Sequence, residues 1–411
     1  MAAYLRRQLL GQTFTGTPVE VVEAVAGLNA QTPRAPSAGL WTRLDSFDQD
    51  DLDRALRSYQ LVKANLMRGT VHMVTRRQYV TWRLSLQPML ERTVNGFCPG
   101  LWRTVDHDKL LQRGARLLRE HDGLTRAEIS AELGQEFPLS EPRQLGFAVR
   151  MLLPVVQAAD DVSWRPARTR YILAEQAFDD VAGSRPESPA RASGSTTSGA
   201  AVHDQEAENG ELGPANARFL PLDHEPGIPG QSGDLLPAPQ GLPDLVRSFL
   251  RAFGPASSAD ASYWSGVSRL APVLTSVGTP SVGRPAVGRP AVGRPAESTG
   301  PARRTWYDAN QHIDEEPRRC YVLPEYDNVY FCRKGPGSPL VSAKKRLVGP
   351  VGHMTGSLVS DGEVCAQWKW TVDAGTVTLT PWRDLDTDEA TEFERFRAWC
   401  STIDAATTRR R

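Results

Sequence analysis

The chain has 411 residues, of which 40% are hydrophobic, and a formal net charge of zero. This length is enough for two to four domains with sizeable cores. No window approaches the roughly 20 apolar residues of a membrane span, and the amino terminus lacks a signal-peptide run, so we expect a cytoplasmic protein without a membrane partner.

The cysteines are scattered. They form no CxxC pair and have no histidine at metal-ligand spacing, which argues against a disulfide scaffold and a structural zinc. We therefore expect neither a metal nor another cofactor. The five are Cys98, Cys320, Cys332, Cys365 and Cys400.

The charge is distributed unevenly along the chain. Residues 1–183 carry 23 Lys and Arg against 21 Asp and Glu, residues 184–240 carry 3 against 8, and residues 241–411 carry 22 against 19. The acidic excess is thus confined to the middle segment. The two flanking parts are mildly basic, which permits a nucleic-acid partner despite the zero total.

The first part of the chain predicts a winged helix. Apolar periodicity predicts helices over residues 18–27, 35–44 and 48–60. Residues 61–75 are apolar and β-branched around Gly69, and they predict a two-stranded ribbon. Three helices followed by a ribbon is the order of elements in a winged helix.

This order recurs twice. In the second copy Thr125 and Glu128 have the spacing of a capping box at the start of a helix. Three further helical pieces begin a third copy. The predicted helices of the second copy cover 106–121, 124–133 and 142–157, its predicted wing covers 161–175, and the third copy starts at 242–274.

Two segments interrupt this pattern. Residues 184–240 are rich in Pro, Gly, Ser and acidic residues without periodicity, which predicts a disordered linker. Residues 276–295 repeat the pentapeptides SVGTP, SVGRP, AVGRP and AVGRP. A proline at every fifth position is incompatible with a helix or a central strand, so we expect an extended cationic spacer where the third wing should start.

The end of the chain predicts an antiparallel β-domain. Residues 318–332 and 352–382 alternate at period two, with turn signals at Asp361-Gly362 and Ala374-Gly375. An amphipathic pattern over 388–403 predicts a closing helix. The fold class is therefore α+β: about three tandem winged-helix units followed by this β-domain.

The predicted domain limits follow from these patterns. The first winged helix is expected at 1–100 and the second at 101–183. The linker follows at 184–240. The third winged helix with its repeat is expected at 241–317, and the β-domain at 318–411.

Five stretches, in this order and spacing, resemble one family. They read GLNAQTPRAPSAGLWTRL, LVKANLMRGTVHMVT, RAFGPASSADASYWSG, VLPEYDNVYF and KKRLVGPVGHMTGSLVSDGEVCAQWKW. The family is that of the AlkZ-like winged-helix DNA glycosylases. The resemblance covers most of residues 15–175 and 242–400.

The resemblance implies a fold and an activity. It implies tandem winged helices in a C-shaped clamp around duplex DNA, and monofunctional hydrolysis of the N-glycosidic bond of alkylated purines. Some members of the family unhook bulky adducts or crosslinks made by DNA-alkylating natural products, which gives the producer self-resistance. We expect a nucleoid-associated monomer in base excision repair, with double-stranded DNA containing alkylated bases as its partner.

The resemblance also places the catalytic motif, which in the family is Gln, an apolar residue, then Gln or Asp. Here it reads Asn29-Ala30-Gln31, so that Gln31 matches and Asn29 is one methylene shorter. A carboxamide oxygen can position the attacking water. The alternative is that Asn29 ends the preceding helix and that Gln31 is an exposed loop residue.

Other polar residues allow two interpretations each. Arg68 and His72 contact phosphate or stabilise developing charge, or Arg68 is buried and pairs with a carboxylate while His72 is satisfied inside the ribbon. Lys344, Lys345 and Arg346 contact phosphate, or they form a solvated turn. Asp327 faces the DNA-binding cleft, where it assists the attacking water or balances the positive charge that develops on the sugar. Alternatively, Asp327 and Glu325 brace the β-domain against a helix.

A rival function belongs to a different class. A non-catalytic winged-helix protein, either a transcription regulator or a lesion binder, would have the same folded parts. Asn29 in place of the family's Gln is the feature that favours this alternative.

Overall fold

The computed structural model describes nine ranges: residues 3–11, 13–159, 169–179, 241–282, 305–309, 319–334, 339–350, 352–371 and 376–409. The predicted linker at 184–240, the larger part of the repeat at 276–295 and the first half of the predicted wing at 161–175 lie outside the described residues. The Ala374-Gly375 turn signal lies outside them as well.

The first part of the chain contains the predicted helices and ribbon. The elements are α1 (Ala3–Arg7), α2 (Pro18–Ala24), β1 (Leu28–Asn29), α3 (Ala35–Arg43), α4 (Gln49–Arg57), β2 (Leu61–Asn65) and β3 (Val71–Thr75). The strands form one antiparallel sheet in the order β1-β3-β2. The short strand β1 was not predicted, and it matters because it carries Asn29.

The prediction that the first helix runs to residue 27 was wrong. Helix α2 starts with a capping box between Thr17 and Glu20 and ends at Ala24. The chain then turns through Ala26 and Gly27, whose φ angles are 58° and 88°. A Cβ atom on Gly27 would lie 2.8 Å from a methyl carbon of Val74. Left-handed backbone and this close approach both require glycine, and they send the chain into β1.

The second part repeats the order of elements. Three helices connect the two parts: α5 (Arg76–Trp82), α6 (Gln87–Phe97) and α7 (Leu101–Thr104). The second part then contains α8 (His107–Arg119), β4 (Leu124–Thr125), α9 (Arg126–Glu136), α10 (Pro142–Leu152), β5 (Val155–Gln157), β6 (Arg170–Leu173) and α11 (Ala174–Asp179). The sheet order is β4-β6-β5, which matches the first sheet. The predicted Thr125–Glu128 capping box is confirmed.

The predicted helix over 142–157 is correct only in its first eleven residues. Helix α10 ends at Leu152, and residues 155–157 form strand β5. The reason is Pro154, which lacks an N–H and disfavours helical backbone at the residue before it. Val156 therefore packs from a strand and not from the helix face that the periodicity indicated.

Among its described residues, the third part has three helices and a strand pair: α12 (Leu242–Phe253), α13 (Ser258–Ser265), α14 (Ala271–Val277), β7 (Thr279–Val282) and β8 (Thr305–Asp308). The antiparallel pair β7-β8 stands where the third ribbon was predicted. A bridge between Ala256 and Tyr307 adds a third short segment beside it.

The carboxy-terminal part is the predicted antiparallel sheet with a closing helix. It contains β9 (Cys320–Leu323), α15 (Pro339–Leu347), β10 (Gly356–Ser360), β11 (Glu363–Thr371), β12 (Thr376–Pro381) and α16 (Thr387–Arg409), with strand order β12-β11-β10-β9. The predicted turn at Asp361-Gly362 connects β10 to β11 with positive φ at both residues.

Helix α3 joins the first sheet to the carboxy-terminal sheet. All nine of its residues are buried, as expected for a helix covered on every side. Leu40 and Leu28 of β1 belong to one buried core cluster, and Trp41 contacts Phe396 and Trp399 of α16. Because α3 follows the Asn29–Gln31 segment, this packing fixes the segment between the two sheets. Within the described ranges, no helix combines the length and apolarity needed to cross a bilayer.

Candidate active site

Asn29 and Gln31 form a hydrogen-bonded pair of carboxamides. The Oδ1 atom of Asn29 accepts from the backbone N–H of Gln31 at 3.0 Å, and its Nδ2 atom donates to Oε1 of Gln31 at 3.0 Å. The first bond is the turn that Asn often makes with the backbone two residues on. Asn29 is buried, with 4% of its surface exposed. Its two hydrogen bonds to residue 31 therefore orient Gln31.

Gln31 is the more accessible amide of the pair. Its side chain is partly exposed, and among the described residues its Nε2 group has no hydrogen-bond partner. Its Oε1 atom accepts one bond, from Asn29, and a carbonyl oxygen has a second lone pair. The arrangement leaves Gln31 able to accept from, and donate to, a water or a ligand. The interpretation of Asn29 as a helix cap is wrong, because Asn29 lies in β1.

His72 lies beside Asn29 on the same sheet. The two residues are register partners in the β1-β3 pair, so their side chains share one face. His72 is 0% exposed, and its ring nitrogens lie 3.0 Å from the carbonyl oxygen of Thr70 and 3.2 Å from Nη2 of Arg68. This burial fits the histidine satisfied inside the ribbon, and it does not fit direct contact with phosphate.

Arg68 connects His72 to the carboxy-terminal part. It has a left-handed backbone, with φ 58°, and donates to the carbonyl oxygen of Trp264 and, at 3.3 Å, to Oδ1 of Asn328. None of its side-chain hydrogen-bond partners among the described residues is a carboxylate. Burial lowers the pKa of Arg68 to about 10, so it keeps its charge at neutral pH.

The loop after β9 holds the motif from the other side. Nδ2 of Asn328 donates to the carbonyl oxygen of Gly27 at 3.1 Å, in the turn that leads to Asn29. The Oγ1 atom of Thr32 donates to Oε2 of Glu325 at 3.0 Å. Burial raises the pKa of the Glu325 carboxyl. The Asn29–Gln31 segment is therefore clamped at both ends by residues from one distant loop.

Asp327, in the same loop, is a bracing residue. Nη2 of Arg43 lies 3.0 Å from its Oδ2 atom, and both side chains are at most 1% exposed. Oδ1 of Asp327 also accepts from the N–H of Val329. Its charge is thus already matched by Arg43 and removed from solvent. This fits the bracing interpretation and does not fit the predicted charge-balancing role in the cleft.

The three basic residues of α15 have different surroundings. Lys344 is partly buried, donates from Nζ to the hydroxyl of Tyr263 at 2.9 Å, and lies 3.9 Å from the ring centroid of Phe331. Lys345 and Arg346 are exposed, and the Arg346 guanidinium stacks on the ring of Trp382 at 3.7 Å. These last two are placed as a solvent-facing cationic pair.

The burial of His72 predicts acid sensitivity. Burial, and secondly Arg68, lower the pKa of His72 to about 3, against ~6.5 in an unfolded chain. The unfolded state therefore binds more protons, and stability decreases as pH falls from 6.5 towards 3, by up to about 1.4 kcal/mol per pH unit. Urea unfolding of wild type and His72→Gln at pH 7, 6, 5 and 4 should give a shallower decline for the variant. Identical declines would contradict the assignment of this sensitivity to His72.

The sequence did not identify Asn328 or Tyr263 as members of this site. Asn328 follows the paired carboxylates, but nothing in a single sequence places it against Gly27, 301 positions away. Tyr263 lies inside an ordinary helical pattern. Over the described ranges, no three His, Cys, Asp or Glu side chains come together as ligands for a metal ion.

Comparison with known proteins identifies the family. The family model described as DNA glycosylase AlkZ-like matches residues 22–399. The chain therefore belongs to the AlkZ-like DNA glycosylase family, and the predicted resemblance is confirmed.

A solved structure shares the fold. The chain is similar to the DNA glycosylase AlkZ of Streptomyces sahachiroi, with a TM-score of 0.62 and 16% identity over 97% of this chain and 94% of that one. No curated protein sequence matches the chain.

Proposed function

We propose that this protein hydrolyses the N-glycosidic bond of alkylated purines in duplex DNA, as a monofunctional glycosylase of base excision repair. The observation that supports this most directly is the amide pair, in which Asn29 holds Oε1 of Gln31 at 3.0 Å while Gln31 stays partly exposed. Membership of a DNA glycosylase family supplies the reaction class. Self-resistance against bulky alkylating natural products, including unhooking of crosslinks, is the biological role we propose.

The proposed chemistry needs little acid catalysis. Alkylation at N7 or N3 puts a positive charge on the purine, so the base leaves readily and the sugar develops oxocarbenium character. Water must then attack C1′. The oxygen of Gln31 would orient this water without a full charge, and Asn29 would act as a positioning residue through its two hydrogen bonds to residue 31.

The one-methylene difference at Asn29 thereby acquires a structural role. The shorter side chain is within reach of both the backbone and the side chain of Gln31. A longer Gln at this position would not favour the same turn, which is typical of Asn and Asp. In this proposal a single amide positions the water, and the second amide positions the first.

We further propose that each repeated group of three helices and a small sheet is a winged helix, and that three of them and the carboxy-terminal sheet form a monomeric clamp on DNA. The support is the common sheet order of β1-β3-β2 and β4-β6-β5, with β7-β8 in the equivalent place. The domain limits are those given by the sequence. Arg68 and the basic residues of α15 would contact phosphates.

Removal of the α15 charges tests the proposed DNA contacts. Replacement of Lys344, Lys345 and Arg346 by alanine should weaken binding to all duplex sequences alike. The slope of log affinity against log salt should decrease by about 0.9 for each phosphate that the variant no longer neutralises. Fluorescence anisotropy at several salt concentrations measures both effects, and weakening confined to one sequence would contradict non-specific phosphate contact.

A non-catalytic DNA-binding protein is the second candidate. It is favoured because both polar atoms of the Asn29 side chain are hydrogen-bonded to residue 31. Gln31 is therefore the accessible amide of the pair. The two candidates differ in product. N7-alkylated duplex treated with a glycosylase acquires heat-labile abasic sites, whereas a lesion binder shifts the duplex without making them, and a regulator selects one sequence by base contacts.

A further inference from the structure

The loop after β9 carries two carboxylates with different surroundings. Asp327 is paired with Arg43, and both side chains are at most 1% exposed. Glu325 is partly exposed. The described groups that act on its carboxyl are the hydroxyl of Thr32, its own backbone N–H and, through its charge, Arg34. Of these two carboxylates, Glu325 is therefore the one that remains accessible to a water.

Glu325 is connected to the candidate active site by a direct contact. The Oγ1 atom of Thr32 donates to Oε2 of Glu325 at 3.0 Å, and Thr32 is the residue that follows Gln31 in the chain. An ionised carboxyl has about four lone-pair sites, and the bonds from Thr32 and from its own N–H use two of them. The contact holds the carboxyl against the segment that presents the Gln31 amide, and leaves it able to accept from a water.

The charges around Glu325 come from the same segment and the same loop. Arg34 stands at the start of α3, where its guanidinium carbon lies 4.3 Å from the centroid of the Trp370 ring. Burial raises the pKa of the Glu325 carboxyl, and the bond from Thr32 and the charge of Arg34 lower it in part. Tyr326 is a further titratable group that faces Glu325. A carboxylate in this setting binds a proton more strongly than a glutamate on the surface.

Hydrolysis of the N-glycosidic bond requires an acceptor for a proton, because the water that attacks C1′ must lose one. The carboxamide oxygen of Gln31 can orient this water, but a carboxamide does not take up a proton at neutral pH. Asp327 is matched by Arg43 and removed from solvent. The Glu325 carboxylate is the remaining acceptor in this loop, and proton transfer to a positioned carboxylate is a common form of general base catalysis.

We propose that Glu325 is the general base of the reaction, and that it takes the proton from the water that Gln31 orients. As the C1′–N bond breaks, its electron pair passes to the alkylated purine and cancels the positive charge of the base. The water oxygen forms the new bond to C1′, and its proton passes to the Glu325 carboxylate and then to solvent. No oxidant or reductant is consumed. This inference rests on the proposed function, since it assigns one step of that reaction.

The first test replaces Glu325 by glutamine, which keeps an oxygen to accept from Thr32 but cannot take up a proton. Base release is measured in single turnovers with the full-length protein, on duplexes carrying N7-methylguanine and a bulky N7-guanine adduct. We expect the rate near neutral pH to fall by at least about tenfold. The wild-type rate should increase with pH as Glu325 ionises, with a midpoint above the ~4.3 of a free glutamate, and this pH dependence should be lost in Glu325→Gln.

The second test changes the pKa of Glu325 and leaves its carboxyl in place. Thr32 donates to this carboxyl and thereby lowers its pKa. Thr32→Val removes the donor at nearly constant volume, so the midpoint of the rate profile should move to higher pH. Thr32→Ser keeps a hydroxyl and should retain the wild-type midpoint. A residue that only braces the fold would give no such shift.

The controls separate catalysis from stability. Glu120→Gln changes an exposed carboxylate at the end of α8 and should release base at the wild-type rate and with the wild-type pH profile. Tryptophan fluorescence at each pH shows whether the variants are folded. Equal rates for Glu325→Gln and wild type, or a decrease with an unchanged pH profile, would overturn the general base and leave base excision in place. No base released by wild type from either duplex would overturn both the general base and the proposed function.

Discussion

Replacement of Gln31 by alanine should lower the rate of base release by at least about tenfold, because a misplaced reacting group costs up to ~100-fold. Binding of the alkylated duplex should stay within about threefold, since phosphate contacts dominate affinity. The reason is the geometry of the pair: Asn29 is buried and uses both polar atoms to bind residue 31, so the Gln31 amide is the group left to orient a water. Single-turnover base release and anisotropy measure the two quantities.

Variants at neighbouring amides sharpen this test. Asn29→Ala removes both bonds to residue 31 and should lower base release by a smaller factor, because Gln31 remains but is less well oriented. Gln60→Ala changes an exposed glutamine of the same part of the chain and should release base at the wild-type rate. Equal rates for Gln31→Ala and wild type would exclude Gln31 as the water-positioning group.

Replacement of Asp327 by alanine should lower the free energy of unfolding by about 3–5 kcal/mol. The partner, Arg43, is 0% exposed and also donates to the carbonyl oxygens of Gln8 and Gly39. It cannot reach water without disrupting α3. Removal of the carboxylate therefore leaves a buried, uncompensated charge at the junction of α3 and the carboxy-terminal sheet. Urea unfolding followed by tryptophan fluorescence measures the change.

An exposed ion pair and a double variant are the controls. Asp51 pairs with Arg54 with 49% and 72% of the side chains exposed, so Asp51→Ala should cost at most about 1 kcal/mol. Arg43→Met combined with Asp327→Leu removes both charges and should recover part of the stability. A decrease below about 1 kcal/mol for Asp327→Ala alone would contradict a bracing role for this pair.

Local signals in the sequence accounted for most of the helices and ribbons. The Thr125–Glu128 capping box, the ribbon around Gly69 and the Asp361-Gly362 turn are formed by residues close together in sequence. Their hydrogen bonds join residues of the same helix start, ribbon or turn, so tertiary contacts change them little. The predicted order of three helices and a ribbon in the first part is correct for the same reason.

The site was less predictable, because it is made by long-range contacts. The sequence indicated Gln31 and Lys344, but not that Asn29 would lie in a strand beside His72. The strand forms because Gly27 turns the chain against Val74, a residue of the opposite strand. The burial of Lys344 depends on Tyr263 and Phe331, whose proximity no local pattern encodes. Apolar periodicity indicates which face of one element is buried, but it does not indicate which elements pack together.

The function proposed for this protein is the release of alkylated purine bases from DNA. The most direct measurement is mass spectrometry of the small molecules released from duplexes carrying a panel of N7- and N3-purine adducts, simple and bulky. We expect a free alkylated base at the mass of at least one adduct, with an abasic site left in the strand and about tenfold less base from Gln31→Ala. Tight binding of every adducted duplex with no base released would contradict it.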